Sequence, residues 1–150
     1  MKKRYMFPIA TVITLGLILI TLGAAASFGH SVVGAWYFQA PAPFTPHLAT
    51  FHDDGTLVVM FPDAAEASRS ASTGAGAWKR VANSTYQGRF YEINANRDTN
   101  TFQSNLIVTF RITVRGNSFT GTASASYYDL GGVLLEGPFD GPLTGTRIEA

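Results

Sequence analysis

Residues 102–114, F-Q-S-N-L-I-V-T-F-R-I-T-V, alternate with hardly a break. Leu106, Val108, Phe110, Ile112 and Val114 fall on one face, and Asn105, Thr109, Arg111, Thr113 and Arg115 on the other. Side chains two apart share a face of a β-strand, so this stretch is a strand with one dry side and one wet side. Gly116-Asn117 turns the chain, and residues 118–128 alternate again, with Phe119, Gly121, Ala123, Ala125 and Tyr127 opposite Ser118, Thr120, Thr122, Ser124 and Ser126. After a turn at 129–132, the last predicted strand, about 133–148, places Val133, Leu135, Gly137, Phe139, Gly141, Leu143, Gly145 and Arg147 on one face.

Working back toward the N-terminus, residues 85–94 and 76–81 read as strands around a turn at Ala82-Asn83-Ser84. Residues 62–75 are small and polar without a core-facing stripe, and read as a long loop: a lid over a barrel mouth, or a connection with no role. Residues 56–61 and 47–51 form a hairpin through Asp53-Asp54-Gly55, where glycine takes the positive φ a tight turn requires. The prolines of Ala40-Pro41-Ala42-Pro43 remove ladder donors and end the first strand, about 32–39. Eight strands in series, mostly joined by hairpins, predict an all-β fold, an eight-stranded antiparallel up-and-down β-barrel over residues 32–150. A two-sheet sandwich is the alternative. Gly121, Ala123, Ala125, Gly137 and Gly141 help bend the sheet shut and leave space inside.

Lys2, Lys3 and Arg4 precede an uncharged run from about Tyr5 to Ala26 that ends in Ala24-Ala25-Ala26. A basic segment, an apolar run and small residues make a signal peptide over 1–26, followed by a tether at 27–31. An uncleaved hydrophobic helix anchoring the chain is the alternative, since the run approaches the roughly 20 residues that cross a bilayer. Either way the barrel is expected to be exported, secreted or periplasmic, with membrane contact only through this segment if it stays uncleaved.

The chain has no cysteine, which excludes disulfides, thiol catalysis and cysteine-ligated metal. Once Lys2, Lys3 and Arg4 are set aside, eight scattered basic residues face ten acidic ones, so nucleic acid is not an expected partner. No glycine-rich phosphate loop follows a strand and no G-x-S-x-G elbow is present, so no cofactor is expected. His47 and His52 lie five apart on or beside one strand, which sends them to opposite faces, and no metal site is expected.

By parity Trp36 and Phe38 face inward on the first strand, and Arg147 faces inward near the end of the last. First and last strands are neighbours in a closed barrel, so the guanidinium can lie across the indole and close the floor, a structural role. Gly34-Ala35-Trp36 on the first strand, with an arginine on the last, resembles the lipocalins and the wider calycin group. That resemblance implies an eight-stranded barrel that binds small, usually hydrophobic molecules, with Gly34, Trp36 and Arg147 as structural signature residues at its closed end.

A ligand would then be lined, by parity, by Phe38, Phe51, Trp78, Phe90, Leu106, Phe110, Phe119, Tyr127, Leu135 and Phe139. A small barrel can also fill itself with such side chains and hold nothing. Glu92 shares parity with Tyr86, Gly88 and Phe90, which makes it a candidate acid or base if it points inward. Strand ends break parity, however, and a solvated Glu92 is the plainer reading. The leading function is thus an exported binding protein for a small hydrophobic or aromatic ligand. The alternatives are a barrel enzyme of isomerase or cyclase type using an inward polar residue, and a structural envelope module with a filled core.

Overall fold

The computed structural model describes residues 31–41, 44–62 and 68–150; the expected signal or anchor segment and most of the tether lie outside them. The described residues form nine strands: β1 Gly34–Gln39, β2 His47–Phe51, β3 Thr56–Met60, β4 Arg69–Ala71, β5 Gly74–Ala82, β6 Thr85–Asn96, β7 Thr101–Arg115, β8 Ser118–Tyr128 and β9 Leu134–Arg147. All pairings are antiparallel. Both β4 and β5 pair with the same edge of β6, Ala71 opposite Asn94 and Ala75 opposite Tyr91, so they are two halves of one stave. Eight staves follow one another in chain order and close where β1 meets β9, with Trp36 opposite Arg147. This is a closed up-and-down barrel, not a sandwich.

The loop expected at 62–75 therefore shortens, although residues 63–67 lie outside the described set. Residues 69–71 carry no apolar alternation because backbone pairing to Asn94–Asn96, rather than a core face, makes them a strand. At the break the Ser72 amide donates to Ile93 O (2.9 Å) and Ser72 Oγ accepts from the Ile93 amide (3.0 Å), bridging the gap in the ladder.

Turn chemistry sets the hairpins. Gly55 has φ +87° between β2 and β3, and Asp54 Oδ1 accepts from the Thr56 amide (2.8 Å) and hydroxyl (2.6 Å). β2 ends at this turn and β1 begins beside it, so the Gly34, Phe51 and Leu57 end is the floor and the Phe38, His47 and Met60 end is the mouth.

The floor is a solid plug. Trp36 is 0% exposed, its Nε1 donates to Val32 O (2.7 Å), and its ring packs on Phe119 at 5.1 Å. Arg147 lies over that indole, Cζ 4.3 Å from the ring centroid, and donates through Nη1 to Val33 O (2.6 Å) and through Nη2 to Ser31 O. The first and last strands are thus joined by a stacked cation as well as by their ladder. Val32, Ile112 and Val114 complete the plug.

Candidate functional site

Above the plug the inward faces do not meet, and they enclose a cavity of about 430 Å³. Period-two alternation brings its wall together from every side. Ala49 and Phe51 come from β2, Leu57 and Val59 from β3, Phe90 from β6, and Leu106, Val108, Phe110 and Ile112 from β7. Phe119, Ala123 and Ala125 come from β8 and Leu143 from β9. Pro41 and Phe44, from the segment between β1 and β2, lean over the mouth with Phe61 and with residues 138–142 of β9.

Of the ten residues that parity nominates, seven line the cavity: Phe38, Phe51, Phe90, Leu106, Phe110, Phe119 and Phe139. Trp78 does not. It faces inward but sits at the floor, where its Nε1 donates to His52 O (3.1 Å) and Thr56 O (3.0 Å) and its ring meets Phe51 and Tyr86 edge-on. Tyr127 also stands outside the cavity, edge-on to Phe139 at 6.4 Å and beneath the Arg69 guanidinium at 5.2 Å. Leu135 is 52% exposed. Opposite β8, Ala125 pairs with Phe139, Tyr127 with Glu136 and Tyr128 with Leu134, so β9 carries one extra residue at Gly137-Pro138 and another at Leu135 itself, and the parity count fails there.

His47 is the lining residue that a search for aromatics passes over. It shares parity with Ala49 and Phe51, is 8% exposed, and is clamped between Phe38 (stacked, 5.2 Å) and Phe61 (edge-on, 4.1 Å). Burial pushes its pKa down to about 4, so the imidazole is neutral at physiological pH, and its buried Nδ1 finds no hydrogen-bond partner among the described residues. His52 is exposed at the turn that follows β2. Among the described residues no three His, Asp or Glu side chains come together as a metal-binding group.

Glu92 corrects the plainer expectation. It is 4% exposed and points inward, because β6 runs on to Asn96 and Glu92 is not at a strand end. Burial pushes its carboxyl up to about 7, against the opposing pull of the Arg69 charge, and its Oε2 is buried without a hydrogen-bond partner among the described residues. It lies cross-strand from Leu106, at the upper margin of the cavity but not among its lining residues. One step further up, Asn94 Nδ2 donates to Ser104 Oγ at 3.3 Å, so this side of the barrel ends in a buried polar layer.

Comparison of the chain with family models, with curated proteins and with solved structures gives no match.

Proposed function

We propose that this barrel is an exported, lipocalin-like binding protein that holds a small hydrophobic or aromatic molecule in its cavity. The observation that carries the reading is the cavity itself. Its volume of about 430 Å³ lies within the roughly 300–1,000 Å³ of small-molecule sites, and aromatic and aliphatic side chains line it. A solid plug at one end and a mouth at the other make it a cup, with Trp36 and Arg147 as the base. A filled-core structural module has no use for such a space. Export follows from the basic, apolar and small-residue segments of residues 1–26.

Native mass spectrometry of the protein purified from its own source tests both parts. The expected spectrum shows a chain lacking residues 1–26 with a small apolar molecule bound. A chain that retains them would move the reading to an anchored protein, and an empty chain would count against the ligand.

One observation favours an enzyme as the second reading: Glu92 is buried on the inner face, with its carboxyl pushed to about 7, where an acid–base group works best near neutral pH. Glu92→Gln, compared with wild type for turnover of a molecule recovered from the cavity, decides it.

A further inference from the structure

The cavity wall is carbon almost throughout. Among its described lining residues only His47 and Asp140 carry a polar side chain, and none is a lysine or arginine. Asp140 is exposed at the mouth, whereas His47 is more than nine-tenths buried and locked between two aromatic rings. A buried polar atom left unpaired is costly, and native structures rarely tolerate one without a reason. Nδ1 of His47 has no partner among the described residues, and its ring forms part of the cavity wall. A neutral imidazole offers one donor and one acceptor. A hydroxyl group both donates and accepts, so it can pair with either tautomer. A carboxylate entering the same space would meet no lysine or arginine among the described lining residues and would pass Asp140 on the way in.

We propose that the cavity takes an uncharged, largely apolar molecule bearing a hydroxyl group, a phenol or a long-chain alcohol, and that His47 recognises the hydroxyl. The proposal rests on the reading of the barrel as a binding protein. It makes His47 the specificity-determining residue and leaves the aromatic wall to supply affinity without discrimination.

Titration calorimetry on the full chain at neutral pH, with 2-naphthol, 2-methoxynaphthalene and 2-naphthoate as probes, tests it. These share one ring system and differ only in carrying a hydroxyl, a methyl ether or a carboxylate. The wild type is expected to bind 2-naphthol about tenfold more tightly than either of the others, the worth of one net hydrogen bond. His47→Phe keeps the stack and is expected to bind 2-naphthol and 2-methoxynaphthalene equally. His47→Gln, which can still donate and accept, retains part of the preference. Equal wild-type affinities, a preference for 2-naphthoate, or a hydroxyl preference that survives in His47→Phe would each overturn the role of His47 while leaving the binding reading intact. Failure of all three probes to bind would overturn both.

Discussion

Arg147 joins the two ends of the domain through one side chain. Its guanidinium covers the Trp36 indole and donates to the Val33 and Ser31 carbonyls, so removing it exposes the ring and leaves both carbonyls short of a donor. Arg147→Met is expected to destabilise the barrel by about 3 kcal/mol, read as a lower urea midpoint with cavity binding retained. Arg147→Lys should restore little, because a point charge on a flexible stem cannot cover the ring and reach both carbonyls. Gly34 belongs to the same arrangement: its φ is +123°, and a Cβ there would stand 2.8 Å from Arg147 Nη1. The two buried titratable groups, meanwhile, pull stability in opposite directions. His47 titrates near 4 in the folded chain against 6.5 unfolded, so between these values the unfolded chain holds more protons and stability rises with pH. Glu92 titrates near 7 folded against 4.5 unfolded, so the folded chain holds the extra proton and stability falls as pH rises through that window. Each effect is worth about 3 kcal/mol at about 1.4 kcal/mol per pH unit, and in the wild type the two slopes offset one another over the shared range. Glu92→Gln removes the falling slope. Urea denaturation should find it close to wild type at pH 4 and more stable by about 3 kcal/mol at pH 8, and a profile parallel to wild type would contradict a buried carboxyl.

At the level of the strands, large rings and missing side chains complement each other across the ladders. A Cβ on Gly88 would lie 2.4 Å from the Phe110 ring, and one on Gly145 would lie 2.3 Å from the Phe119 ring. Each ring thus covers the backbone of a neighbouring strand and leaves the barrel centre open. Gly88→Val is expected to push Phe110 into the cavity, costing about 1–3 kcal/mol and weakening binding of an apolar probe, checked by denaturation and titration of the same sample. Strands β6, β7 and β8 were legible because one wet and one dry face force period-two alternation. β4 was not, since its residues contribute backbone pairing to β6 and no core face. Parity misplaces Leu135 for a related reason: it counts residues, and the two register shifts between Leu134 and Phe139 reset the count without leaving an apolar signal. His47 lies on a legible face, but its place between Phe38 and Phe61 depends on segments that alternation along a single strand does not bring together.

For the molecule as a whole, closure follows from chain order. Eight staves in series leave two free edges, and pairing β1 with β9 removes both. That architecture could be read from the hairpin turns and from the G-x-W stretch at residues 34–36. Whether the interior is empty could not, because it depends on how the phenylalanine and leucine side chains that line it and the small residues of β8 and β9 divide the same volume. Ala125 sits at that division, buried and lining the cavity opposite Phe139. Titration of the full chain with N-phenyl-1-naphthylamine, an uncharged apolar fluorophore, set beside Ala125→Phe and Ala123→Leu, tests the cavity claim most directly. The wild type should bind one probe per chain with a blue-shifted, saturable emission. Both variants should keep their cooperative unfolding and lose at least about tenfold in affinity as the added side chain fills the space. No saturable binding by the wild type, or equal binding by wild type and both folded variants, would contradict a ligand cavity in this barrel.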